Sequence, residues 1–296
     1  MKNATLRELA GVLTPEEQHW VGDGFLVSTI FSPFQIKAEA VSPFILMDHA
    51  APRHFGPSSQ PRGVGPHPHR GFETVTIAYA GEIEHRDSHG GGGIIGAGGV
   101  QWMTAGSGVV HEEFQSSRFT QTGGSFEMIQ LWVNLPARLK MTTPRYQAFE
   151  DSDFPRIDVG DGTARVIAGN YDGALGPAEV HTPITMFDLT FPGLGSATVV
   201  FPDGYTTLVF ALRGSARVQG HTAIPNRGLA VFPAESTGEI KIDALEADTT
   251  LLFLAGEPLG EPVVQHGPFV MNHRDEINQA IRDYQLGLMG GLKPKQ

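Results

Sequence analysis

A chain of 296 residues, 40% hydrophobic and 18% charged, carries enough apolar material for two domains of ordinary size. Its formal net charge of -11 excludes the basic stripe that a nucleic-acid surface needs. With no cysteine in the chain, disulfides, thiolate metal ligands and a cysteine nucleophile are excluded as well.

In chain order, Met1-Lys2-Asn3-Ala4-Thr5-Leu6-Arg7-Glu8 lacks the apolar run of a signal peptide. No stretch reaches the length of a transmembrane helix, so a cytoplasmic protein with no membrane partner is expected. Thr14-Pro15-Glu16-Glu17 has the N-cap and proline of a short helix or turn. Residues 25–40 are strand material broken at Pro33, with Phe34, Ile36 and Ala38 alternating against Gln35, Lys37 and Glu39. Phe44-Ile45-Leu46-Met47 is a short buried strand, and the prolines at 52, 57 and 61 mark residues 48–64 as a long loop.

Strands are expected at 73–79, 83–87, 99–104 and 126–133, with a flexible turn through the four glycines Gly90 to Gly93. Residues 137–163, with Pro144, Pro155 and the acidic run from Glu150 to Asp153, are read as a connecting segment. A second β region follows, with strands at 164–168, 185–191, 197–201, 206–212, 216–219, 228–232, 239–243 and 250–255. Its turn signals at Arg213-Gly214 and Asn226-Arg227-Gly228 echo Ala80-Gly81 and Gly98-Gly99, a weak internal duplication. Near the C-terminus, Asn272 to Asp275 resembles a capping box, and Ile277, Ala280, Ile281, Tyr284 and Leu288 follow at helical spacing.

Two segments carry chemistry. The first is Gly65-Pro66-His67-Pro68-His69-Arg70-Gly71-Phe72-Glu73; the second contains His111-Glu112-Glu113. Side chains at i and i+2 of a strand share a face, so His67 and His69 can converge, as can His111 and Glu113. If the two segments pair or face each other, three imidazoles and one carboxylate surround one point, a nitrogen-and-oxygen metal site. Parity alone leaves Glu73 as good a carboxylate ligand as Glu113, while Glu112 faces away. The ligand types suit Fe(II), Mn, Ni, Cu or Zn alike. The other histidines, His19, His49, His54, His181, His221, His266 and His273 among them, are read as packed or hydrogen-bonded residues.

The segments from His67 to Thr74, Val100 to Gly106 with Gly108, His111 and Glu113, Gln130 to Pro136 and Gly256 to Asn272 together resemble the pirin family of the cupin superfamily. The resemblance spans about Phe44 to Leu288. It implies an all-β fold of two tandem cupin (jelly-roll) β-barrels with a C-terminal helix: a metal-binding domain over 1–136, the connecting segment 137–163, and a metal-free domain with the terminal helix over 164–296. It also implies that His67, His69, His111 and Glu113 hold one mononuclear divalent metal, Fe(II) first, with Mn, Ni, Co, Cu or Zn as the others. Glu73, a ligand in many other cupins, would stand behind them. Two departures from the family pattern, Ala97-Gly98-Gly99 and the run Gly90 to Gly93, loosen turns and remove no ligand. The strand material from Pro202 to Val209 has no histidine pair, so the second domain is expected to be structural.

Bacterial members of the family are similar to quercetin 2,3-dioxygenases. That implies a flavonol-like substrate and dioxygen as partners, with Glu113 as the base that takes a hydroxyl proton and Glu73 in reserve. The alternative the family offers is a non-enzymatic, metal- and redox-sensing regulator that binds a protein partner, as vertebrate pirin does with transcription factors. An apolar pocket over the metal would favour the enzyme, and Ala50 to Val64 with Phe55, Met103 and Phe126 are the expected lining.

Overall fold

Short runs of β-branched and aromatic residues, punctuated by glycine and proline, form strands throughout the computed structural model, which describes residues 5–15 and 17–293. The described chain divides into two units: 17–29, Phe44–Asp151 and 260–293 in one, and 5–15, Ile30–Pro43 and Ser152–Leu259 in the other. Each unit contains one seven-stranded and one four-stranded sheet, giving the duplicated all-β architecture. Among the described residues no helix is long and apolar enough to cross a membrane.

In the first unit the seven-stranded sheet runs Arg145–Phe149, Val100–Thr104, Phe72–Ala80, Gly124–Asn134, Phe44–Phe55, Phe25–Phe31, His19–Val21. The four-stranded sheet runs Gly63–His69, Val109–Gln115, Ile83–Asp87, Gly92–Ile95. Phe25, Phe126 and Met128 from the larger sheet pack with Ile83 and Ile95 from the smaller, so part of the space between the sheets is apolar. In the second unit Phe187, Val209 and Phe253 from the larger sheet meet Val218, Ile240 and Ile242 from the smaller in an apolar core. Every strand expected in that region forms, within two residues at each end.

Several expectations change. Residues 48–55 are not loop: Phe44–Phe55 is one strand paired with Gly124–Asn134, and a register shift between Phe126 and Met128 accommodates Ala51 and Pro52. The alternation at 34–38 makes no strand. The Ser32 carbonyl takes the amides of Gln35 and Ile36 in a turn, which leaves Phe34 92% exposed. The helix expected at Thr14 to Glu17 includes Glu16, outside the described residues; Thr14, Pro15 and Glu17 carry none.

Residues 137–163 are not a free connector either. Arg145–Phe149 pairs with Val100–Thr104 in the first unit, and Arg156–Val159 pairs with Gly162–Ala168 in the second. The C-terminal helix, Arg274–Gln285, belongs to the first unit rather than to the second half of the chain. Its buried Ile277 and Ala280 pack with Phe269 and Met271 of the hairpin before it and with Val110. The capping box is shifted one residue from the expected place, on His273 with Glu276.

One buried lysine ties the first unit together. The Lys140 Nζ donates to the Gly71 carbonyl at 2.8 Å, Asn134 Oδ1 at 2.6 Å and the Val270 carbonyl at 3.0 Å, using all three of its hydrogens. Lys140→Met keeps the volume but removes the donor shared by three buried oxygens. A loss on the order of 3 kcal/mol is expected in urea unfolding; a change under 0.5 kcal/mol would show that the acceptors find water.

Candidate metal centre

The strands Gly63–His69 and Val109–Gln115 pair antiparallel with His67 opposite His111 and His69 opposite Val109. The register shifts between His111 and Glu113, so that Glu113 lies opposite Val64; the extra residue falls at Gly65-Pro66, where proline has no amide to give the ladder. Ring centroids of His67, His69 and His111 lie 4.2–4.9 Å apart, and one nitrogen from each falls within 4.8 Å of the others. These three residues could hold a metal ion.

The hydrogen bonds on the far side of each ring fit that use. His67 Nδ1 is 2.8 Å from the Gly65 carbonyl, and His69 Nδ1 is 3.3 Å from the Pro268 carbonyl. A carbonyl only accepts, so both Nδ1 atoms carry a hydrogen, and in a neutral ring that leaves Nε2 the lone pair. His111 Nδ1 is 3.2 Å from His85 Nδ1, while its Nε2 is buried without a hydrogen-bond partner. Burial, followed by the neighbouring imidazoles, holds His69 and His111 well below the ordinary histidine range. They are therefore neutral, the form a metal requires.

Glu113 enters a second, overlapping group. Its carboxylate, His111 and His85 each place an atom within 4.8 Å of the other two. Gln101 Nε2 donates to Glu113 Oε1, and the Thr76 hydroxyl lies 3.3 Å from the same oxygen and 2.6 Å from Gln130 Oε1. Thr76, Gln101 and Gln130 are cross-strand neighbours on the larger sheet, and they form a polar row.

Residues 27–133 match the family described as Pirin, and residues 186–290 match the Pirin C-terminal cupin domain. The chain belongs to the pirin family. A Pseudomonas aeruginosa relative, provisionally named a quercetin 2,3-dioxygenase, is 47% identical over 95% of this chain and 98% of its own. A solved quercetin 2,3-dioxygenase from Acinetobacter baumannii superimposes with a TM-score of 0.93 at 45% identity, covering 98% of this chain and 100% of that one. The Escherichia coli pirin YhhW, solved in complex with nickel(II), shares the fold: its TM-score is 0.61 at 19% identity, over 84% of this chain and 99% of that one.

Against the wall formed by His67, His69 and Glu113, this pirin has a cavity of about 240 Å³, lined otherwise mainly by apolar residues such as Phe25, Val27, Leu46, Met128 and Trp132. Of the expected lining only Val64 takes part; Phe55 and Phe126 are core residues. Asp48 and Gln130, opposite each other in register, are polar exceptions on the far wall. Asp48 accepts from the Thr29 hydroxyl at 2.7 Å, and burial raises its carboxyl above the usual range. Proline- and glycine-rich neighbours hide Asp48 in a stretch with the composition of a loop.

Glu73 does not join the histidines. Thr76 reaches Glu113, so even-numbered residues of Phe72–Ala80 face the site and Glu73 faces away. Strand parity is broken at Gly71, whose φ of +88° ends one strand before the next begins. Glu73 instead accepts from the Thr104 hydroxyl at 2.6 Å, and burial raises it from 4.5 to about 7 against the lowering effects of Thr104, Trp102 and Arg145. Between those two values the folded chain keeps a proton that the unfolded chain has lost, so stability falls as pH rises through that window. Glu73→Gln is expected to exceed the wild type by roughly 3 kcal/mol at pH 8 and to match it at pH 4, read by urea unfolding. Equal pH slopes for the two proteins would contradict the burial effect.

His85 is a site residue that the sequence does not single out, because Ile83 to Asp87 has the pattern of a plain return strand. Its position opposite Glu113 in register puts it on the site's face. The spacing His85-x-Asp87, which repeats the pattern of His111-x-Glu113, is the signal that could have found it.

Proposed function

We propose that this pirin is a metal-dependent dioxygenase that opens the ring of a flavonol such as quercetin with dioxygen. Its mononuclear divalent metal is held by His67, His69, His111 and Glu113, with Fe(II) as the first candidate and Mn, Ni, Co, Cu and Zn as alternatives. The observation that carries the reading is the convergence of three imidazoles, each with its Nδ1 engaged, beside an apolar cavity that His67 and His69 line. The relatives named for quercetin dioxygenation support the substrate class.

A bound metal would supply the Lewis acidity and redox activity that ring opening needs. The chain's own residues supply the rest. Glu113, with Oε1 held by Gln101, takes the hydroxyl proton of the flavonol. Phe25, Val27, Leu46 and Trp132 exclude water from the reacting face, and Asp48 and Gln130 meet ring hydroxyls on the opposite wall. A cavity of about 240 Å³ is below the roughly 300–1,000 Å³ of sites that enclose a drug-sized ligand. One ring system enters it and the remainder projects from the mouth.

The test loads the purified chain with Fe(II), adds quercetin in air, and follows flavonol absorbance together with carbon monoxide release. Turnover with release of carbon monoxide is expected. No turnover with any of Fe, Mn, Ni, Co or Cu would overturn the enzyme reading.

A further inference from the structure

His85 is a buried histidine outside the triad, set between Asp87 and His111. Its Nε2 is 3.4 Å from Asp87 Oδ2 and its Nδ1 is 3.9 Å from Glu113 Oε1; a carboxylate accepts, so Nε2 carries a hydrogen toward the nearer Asp87, and the neutral ring keeps its lone pair on Nδ1. That lone pair is 3.2 Å from His111 Nδ1, so the one hydrogen between the two rings sits on His111. The opposite assignment would put a hydrogen on His111 Nε2, a buried atom with no acceptor, an arrangement that costs about 1–3 kcal/mol.

We propose that His85 is a positioning residue for the metal centre: it accepts the Nδ1 hydrogen of His111 and so holds that ring in the tautomer whose bare Nε2 faces His67 and His69. The inference rests on the metal part of the function proposed above. It gives His111 the same kind of outer partner that the Gly65 and Pro268 carbonyls give His67 and His69.

The surroundings of His85 hold it for this task. The Tyr146 ring stacks on it at 4.6 Å and 14°. Asp87 is fixed in turn by the backbone amides of His89 and Gly91, 2.8 and 3.0 Å from its Oδ1. A Cβ at Gly91 would collide with the Asp87 carboxylate and with Tyr146. One member of the glycine run that reads as a loose turn in the sequence is thereby required beside the line Asp87–His85–His111.

The test measures nickel(II) affinity by chelator competition, and metal stoichiometry, in the full-length wild type, His85→Leu and His85→Asn. Leucine fills the space and accepts nothing; asparagine places Oδ1 near the position of the imidazole Nδ1. His85→Leu is expected to bind nickel 10–100-fold more weakly, with one ion per chain in the wild type and far-ultraviolet dichroism unchanged. His85→Asn is expected to recover affinity to within a few-fold of wild type, which a packing role would not produce. Wild-type affinity in His85→Leu, or an asparagine variant as weak as the leucine one, would overturn the proposal. So would two ions per wild-type chain falling to one in His85→Leu, because His85 would then be a ligand with His111 and Glu113. A wild type that binds no nickel, iron or cobalt would instead overturn the metal reading itself. If His85→Leu loses its fold, the comparison of His85→Asn with His85→Ser, which is too short to reach His111, decides on the same criteria.

Discussion

His69→Ala is expected to abolish metal binding while leaving the β architecture in place. His69 lies within the triad, 4.9 Å by ring centroid from both His67 and His111, and its removal opens the site on the cavity side. Loss of an outer partner weakens a metal site by about 10–100-fold, and loss of a direct ligand exceeds that. The apo fold loses mainly the edge contacts of the ring with Phe72 and Trp132, at 5.1 and 5.4 Å, a cost of about 1–2 kcal/mol. The check is a pair of thermal melts with and without metal. The wild type gains about 2.7 kcal/mol when free metal is 100 times the dissociation constant, and the variant gains nothing. Full retention of metal by the variant would refute the ligand assignment.

Glu113→Gln is expected to lower kcat on quercetin by about 10²–10⁴-fold, the range for loss of a general base. The substitution is isosteric, and its amide oxygen can still accept the hydrogen bond from Gln101, so the polar row with Thr76 and Gln130 persists. The three imidazoles remain to hold metal, which separates a loss of proton transfer from a loss of the ion. Kinetics at matched metal content decide the matter: a kcat within threefold of wild type would remove Glu113 from the proton-transfer role.

The histidine pattern is legible in the sequence because period-two alternation is a local property. His67 with His69, and His111 with Glu113, need only strand geometry, and their meeting follows from the pairing of the two strands. The carboxylate question cannot be settled that way. Parity counts only within one unbroken strand, and Gly71 interrupts it before Glu73. Asp48 is hidden for a related reason: Pro52 marks a loop in sequence, yet a register shift against Glu127 lets the strand continue through it.

What the sequence determined by itself is the β class, the run of short strands in the second half, the i and i+2 pairs His67/His69 and His111/Glu113, and the absence of a histidine pair from the strand material at 202–209. Each follows from residue type and spacing over fewer than about ten positions. Only the tertiary structure decided that residues 260–293 return to the unit that holds the histidines, where the Pro268 carbonyl reaches His69. The same is true of the neighbourhood of His111. His85 lies 26 residues away in sequence, and its hydrogen bond to His111 exists because register places it opposite Glu113. Alternation along a strand is set by the backbone, but which strands become neighbours is set by where the whole chain buries its apolar surface.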